Sequence, residues 1–404
     1  MKTTGHSGRI VFLDNIRSLI IILVLIFHSG ASYGTGVAFW PFHEEHPIGV
    51  IDFFMFICDV FFMALMFFIA GYFVLPDLLK KGLWGFIKGK LKRLGLPWLV
   101  ITVTVLPLLD YVHYAYNHIK QALPPAGFME YWLLCMKKIG GFYTGWLDMS
   151  AYYYMTDNFY QRYMWFISLL LFFCIIFGPL HTLNGFIRGQ NTGPEEPKMD
   201  SRRTIVKILS IGSLVMIVLF GIMRFMVYPE FMDNGWFSLG NIIQFQCGKI
   251  VLYGGLFWLG IRAYSGKWFA ENNGLWKTRV WAIICFCLFG LNMLALKNIS
   301  SPGAPLLIAK IAFCAFYPLW TLSFWGLFVS FGYRHWNRPS GYTARLAANS
   351  YNMYLVHYII PFTLPLLLSA IPLPVFVKFI IVSAVTLIFS YALGVFIRRK
   401  LFRN

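Results

Sequence analysis

The chain has 404 residues, of which 58% are hydrophobic and only 12% charged, against roughly half and a quarter in soluble domains. That balance excludes an ordinary soluble enzyme and points to an all-α, polytopic membrane helix bundle, with residues 1–404 forming a single integral membrane domain. The formal net charge of +18 reads as loop topology rather than as a nucleic-acid partner, because cytoplasmic loops collect Lys and Arg.

The first apolar run, about 10–32, is near the ~20 residues needed to cross a bilayer. It outlasts a signal peptide and is read as a retained helix. Arg17 and His28 lie within it, eleven residues apart. Eleven residues turn a helix about 20° past three full turns, so both side chains share one face, ~16 Å apart along the axis. Arginine suits phosphate or carboxylate recognition, and histidine suits general-base work near neutral pH. A snorkelling arginine and an interfacial histidine are the plainer alternative.

The outer segment HEEHP (43–47) is too weakly patterned for a metal site, and none is expected. A second run at 49–75 leads to KGKLKRLGLPWL (89–100), where Lys90 and Arg93 share a face by i,i+3 spacing. Such a cluster either anchors the chain to the inner leaflet or receives an anionic cofactor. A third run (96–116) precedes the long outer connection 117–163, which holds the partly apolar piece MEYWLLCMKKIGGF. Tyr and Trp crowd AYYYMTDNFYQRYMW (151–165), as in an interfacial belt or a surface that stacks on sugar rings. A run at 164–184 follows, then the polar linker GQNTGPEEPKMDSRR (189–203).

Further runs lie at 205–228, 241–264, 280–297 and 306–332. In the ninth (349–370), SYNMYLVH repeats Ser350, Tyr354 and His357 at helical spacing, a polar stripe that faces the bundle interior. It belongs either to a satisfied core or to a site. The tenth run is 373–397.

About ten transmembrane helices put both termini on one side. Of the 34 Lys and Arg, 22 fall at the termini and every second connection, and five in the other connections. Both termini are therefore expected in the cytoplasm. Ionisable groups within spans are costly and face a cavity or a partner; besides Arg17, His28 and His357 these are Asp59, Asp110, Arg224, Lys249, Lys310 and Lys378. Asp59 or Asp110 can pair with Lys249 or Arg224.

Five segments carry a family resemblance in order, from about residue 9 to 397. FLDNIRSLIIILVLIFH opens the chain with an Arg and a His. FFMALMFFIAGYF (61–73) is Phe-rich, KLKRLGLP (90–97) is basic before a proline, and MWFISLLL (164–171) and NSYNMYLVH (349–357) follow. Together they resemble the acyltransferase type 3 family of integral membrane acyltransferases. Lys90 stands where the family usually has an arginine, Ala70 where it has a serine, and Tyr163 where a histidine is often seen.

The resemblance implies transfer of an acetyl or succinyl group from cytoplasmic acetyl-CoA or succinyl-CoA, a substrate rather than a resident cofactor, to a hydroxyl of an extracytoplasmic glycan. It implies a bacterial cytoplasmic-membrane location and catalytic roles for His28 and Arg17. Lys90, Arg93 and Arg17 would hold CoA, with His357, Tyr354, Ser350 and Trp165 as further site candidates. His28 would deprotonate the acceptor or carry the acyl group itself. The alternative classes are a transporter or flippase of an envelope glycan, although no inverted repeat is visible, and a catalytically silent scaffold.

Overall fold

The computed structural model describes residues 10–35, 40, 42–147, 159–187, 199–227, 235–270, 277–301, 305–338 and 340–401. Residues 151–158 of the aromatic run, 189–198 of the polar linker, and Lys2, Arg9, Arg188 and Arg403 lie outside them. The helices are α1 (Val11–Gly30), α2 (Gly49–Lys90), α3 (Leu96–Val103), α4 (Val105–Lys120), α5 (Phe128–Gly140), α6 (Trp165–Ile187) and α7 (Arg202–Ile222). There follow α8 (Ile250–Ser265), α9 (Thr278–Ile299), α10 (Leu306–His335), α11 (Gly341–Val356), α12 (Ile359–Leu368) and α13 (Val375–Leu401). Three short strands, β1 (Gly145–Leu147), β2 (Trp236–Leu239) and β3 (Ile243–Gln246), form one antiparallel sheet in that order.

Among the described residues, seven helices are long and apolar enough to cross a membrane, or eight if α11 and α12 make one span bent by 60°. Ten were expected, and two places account for the difference. Residues 49–120 form one helical run of 72 residues, ~108 Å if straight and several times a ~30 Å hydrocarbon core. It contains the expected spans 49–75 and 96–116. The run breaks at Gly82, whose φ of 66° and ψ of 171° are open essentially to glycine alone.

The second place is the expected span 241–264. Its first residues are strand β3, and α8 starts only at Ile250 and has 16 residues, ~24 Å. Gly240 and Asn241, both at positive φ (62° and 60°), turn β2 into β3 as hairpin turns require. The helix bundle expected from the sequence carries this one small sheet among its described residues: at 241–264 an apolar composition satisfied the span criterion, while a Gly-Asn turn between alternating residues made a hairpin.

Burial divides the helices by role. On α1, Leu13, Ile20 and Leu25 are completely buried, so this helix runs through the centre. At the periphery, Ile211 on α7, Phe286 on α9 and Ile388 on α13 are 53%, 76% and 71% exposed. Large apolar side chains turned outward from long helices fit a hydrocarbon surround, and Cys287 on α9 is exposed as well.

Helices α2 and α8 approach each other backbone to backbone. A Cβ on Gly260 would sit 2.2 Å from the Phe68 carbonyl oxygen, and one on Gly71 would sit 2.0 Å from that of Phe257. Small residues permit such backbone contact in membrane bundles. Gly260→Ala should therefore destabilise the protein by about 1–3 kcal/mol, the usual cost of overpacking. Gly290→Ala on α9, where a Cβ meets nothing within 4 Å, should not. Thermal unfolding in detergent, compared for the two variants, checks this.

Candidate functional site

Among the described residues, two cavities gather the polar side chains of the helix bundle. The larger, about 590 Å³, is basic: Arg17 from α1, Lys80, Lys81 and Lys90 from α2, and Arg93 line it, with Asp77, Ser350, Tyr351 and Tyr354. The reversal at Gly82 brings the two ends of the basic segment together. Asp77 receives both Lys81 (2.6 Å) and Lys90 (2.9 Å). Arg17 donates to the Ala347 carbonyl (3.0 Å) and pairs with Asp14 (2.9 Å), which fixes it against α11. Ser350 lines this cavity, and its hydroxyl bonds the Ala347 carbonyl (3.0 Å).

Arg93 sits in a π-helical turn, Leu91–Gly95. Pro97 has no N–H, so the Arg93 carbonyl four residues earlier loses its helical donor. The Tyr351 hydroxyl donates to that carbonyl, and the Tyr351 ring lies 5.7 Å from the Arg93 guanidinium. One tyrosine thus holds both the backbone and the head group of Arg93.

The smaller cavity, about 100 Å³, is lined by His28, Asp59, Arg162, Tyr163, Trp165 and Tyr358, with Trp236, Gln244 and Gln246 from the sheet. Among the described residues, Tyr354 alone lines both cavities. Its hydroxyl donates to the Tyr163 carbonyl, while the Tyr163 hydroxyl donates to the Leu355 carbonyl (2.8 Å). This reciprocal pair clamps the partition between the two spaces.

His28 and His357 meet at the small cavity. Helix α11 ends at Val356, and its last carbonyls lack intrahelical partners. The Tyr354 carbonyl accepts Nδ1–H of His357 (2.6 Å), so His357 Nε2 carries a lone pair. That nitrogen lies 3.1 Å from Nδ1 of His28, which is also 2.9 Å from the Val24 carbonyl. A carbonyl can only accept, so His28 carries its proton on Nδ1 and shares it between two acceptors. Inferred from the hydrogen-bond network, this tautomer leaves His28 Nε2 as the basic nitrogen on a half-buried ring that borders the cavity.

The sheet supplies the remaining wall. Gln244 Oε1 accepts the Gln161 amide (2.8 Å), Gln244 Nε2 donates to the Phe159 carbonyl (2.6 Å), and Gln161 Nε2 donates to the Asn241 carbonyl (2.9 Å). Trp236 packs against Trp165 with ring centres 5.5 Å apart.

Five of the remaining intramembrane charges are placed as follows. Asp59 pairs with Lys249, Asp110 with Arg162 (2.6 Å) and Lys378 with Glu44 (2.6 Å). Arg224 lies over the rings of Phe220 and Phe313. The sequence candidates other than His357 thus fall on the two cavities: Arg17, Lys90, Arg93 and Ser350 on the basic one, His28 and Trp165 on the small one, and Tyr354 on both; His357 lines neither and lies behind His28. Sequence reading missed Arg162, Trp236, Gln244 and Gln246; the alternation around Gly240-Asn241 was the signal for the last three.

A family model described as "Acyltransferase domain" matches residues 10–395. The chain is 26% identical over 368 residues to glucans biosynthesis protein C of Escherichia coli O139:H28 (strain E24377A / ETEC), covering 89% of this chain and 83% of that one. The same protein of Escherichia coli strain SMS-3-5 / SECEC gives the same values. No solved structure matches the chain.

The Asp59–Lys249 pair has an asymmetry that mutation can read. The Lys249 side chain is 2% exposed and that of Asp59 34%. Asp59→Ala strands a buried ammonium and should cost about 3–5 kcal/mol. Lys249→Ala leaves a carboxylate that faces the cavity and should cost less. Unfolding midpoints of the two variants in detergent test the order.

Proposed function

The chain belongs to the acyltransferase family whose domain model spans residues 10–395, and from that premise we propose that it moves an acetyl or succinyl group from acyl-CoA to a glycan hydroxyl across the membrane. The basic cavity would take the CoA head group on the cytoplasmic side, where both termini would also lie. Arg17 and Arg93 supply forked donors suited to phosphate, and Lys90 a point charge. The small cavity would take the acceptor. Its two tryptophans and paired amides match the flat, hydroxyl-rich faces of a sugar, and the name of the relatives favours a glucan.

The observation that carries this reading is the His28–His357 pair, which aims a basic imidazole nitrogen at a cavity separated from the basic one by Tyr354. Arg17 and His28 are ~16 Å apart along α1, a span comparable to the pantetheine arm between a CoA head group and its thioester. His28 Nε2 would take the acceptor hydroxyl proton as that oxygen attacks the thioester carbonyl. A C–O bond forms, the C–S bond breaks, and the leaving CoA sulfur receives the proton from His28. His357 acts through His28 as a positioning residue, since its Nε2 holds the productive tautomer.

The test uses protein in lipid nanodiscs with acetyl-CoA or succinyl-CoA and a glucan oligosaccharide, and reads ester formation by mass spectrometry. His28→Ala should lower kcat at least 100-fold, within the range of general-base catalysis, with CoA binding intact. Arg17→Ala and Arg93→Ala should each weaken CoA binding roughly 10- to 100-fold, as loss of a charged hydrogen bond does. An acyl-histidine trapped with acyl-CoA alone would overturn direct attack. Glucan movement across the bilayer without any ester would replace the transferase by a flippase.

A further inference from the structure

The small cavity brings a base and a fixed cation to one lining. Among the described residues, Arg162 is the only lysine or arginine there, and His28 shares the lining with it. The Arg162 side chain is 4% exposed; its Nε donates to Asp110 at 2.6 Å, and its guanidinium lies 5.1 Å from the Phe362 ring centre. Asp110 lies outside the lining, so this pair turns its positive member to the cavity. Asp59, the carboxylate on the same lining, is paired with Lys249.

The backbone of Arg162 is equally constrained. Its φ of 49° falls in the left-handed region, which residues other than glycine seldom enter. Such a conformation persists only where the surroundings over-determine it, and it gathers at functional sites. Gln161 anchors one side. Its amide N–H donates to Gln244 Oε1 (2.8 Å), its Nε2 donates to the Asn241 carbonyl (2.9 Å), and its Oε1 accepts the Ser168 hydroxyl (2.7 Å). Tyr163 anchors the other side through the Leu355 carbonyl. Both neighbours are fixed, and the left-handed residue between them carries its cation to the cavity.

We infer that Arg162 is a further catalytic residue, stabilising the oxyanion that forms when the acceptor hydroxyl attacks the thioester. This rests on the transferase reading above, which brings the thioester carbonyl to His28. As the C–O bond forms, the carbonyl π pair moves onto oxygen. As the C–S bond breaks, that pair re-forms the C=O, and CoA leaves as a thiolate that takes the proton from His28. Negative charge thus appears and disappears beside this wall within one turnover. A cation already held in place stabilises such transient charge more than the neutral thioester, which is what accelerates a reaction.

The experiment measures kcat and KM in nanodiscs, with a glucan oligosaccharide and whichever of acetyl-CoA and succinyl-CoA wild type uses. Arg162→Gln should lower kcat about 100- to 1,000-fold, as loss of an oxyanion donor does. Both KM values should change less than about threefold, because the interaction is made only in the transition state. That variant strands the Asp110 carboxylate. Should it fold poorly, Arg162→Gln combined with Asp110→Asn removes both charges and should show the same loss. A folded variant with kcat within about threefold of wild type overturns the inference. So does a raised KM for the glucan at unchanged kcat, which would make Arg162 an acceptor-binding group. Either result leaves the transferase standing. Wild type that binds acyl-CoA yet forms no ester overturns the transferase reading and this inference with it.

Discussion

Two carbonyl groups at the end of α11 organise the centre of this molecule. Inside a bilayer no water is at hand to satisfy backbone oxygens, so each must find a donor within the protein. Tyr354 and Leu355 offer such oxygens, and the donors are His357 Nδ1 and the Tyr163 hydroxyl. The first bond decides which nitrogen of His357 keeps a lone pair. Through it, the protonation of His28 on α1 is decided as well. The second ties α11 to the start of α6 and sets the wall between the cavities. Pro361 follows the break and has no N–H to offer the His357 carbonyl, which helps explain why α11 and α12 meet at 60°.

The same economy appears elsewhere. Pro97 strips the Arg93 carbonyl of its donor, and Tyr351 replaces it while also supporting the guanidinium. Each of Asp59, Asp110 and Glu44 answers a cation on a distant segment, so the charges that are expensive in hydrocarbon become cross-links between elements. Glycines contribute where backbones must touch, at Gly71 and Gly260, and where the chain must reverse, at Gly82.

How much of this was legible in the sequence depended on the range of the interaction. Arg17 and His28 share a face because helical geometry is local, and the stripe Ser350, Tyr354, His357 followed from the same periodicity. Nothing local joins His28 to His357, 329 positions away, or chooses Lys249 for Asp59. The partners of a buried charge are set by which helices touch. Residues 241–264 misled because hydropathy counts apolar residues without asking whether they alternate. Gly240-Asn241 held the missing information, and with it the sheet wall that carries Trp236, Gln244 and Gln246. The resemblance to the family rested on motifs spread along nearly the whole chain, and the matching domain model spans 10–395.

Tyr354 is the side chain common to the two cavities, and its hydroxyl is pinned to the Tyr163 carbonyl. Were the two cavities to open on opposite faces of a membrane, a continuous path between them would short-circuit the ion gradient across it. A histidine pair at the bottom of one hollow would make that worse, because imidazoles in contact pass protons readily. One clamped aromatic ring answers the hazard. Because this ring lines both cavities, a slender chain passing from one to the other would meet a single phenol rather than a whole helix.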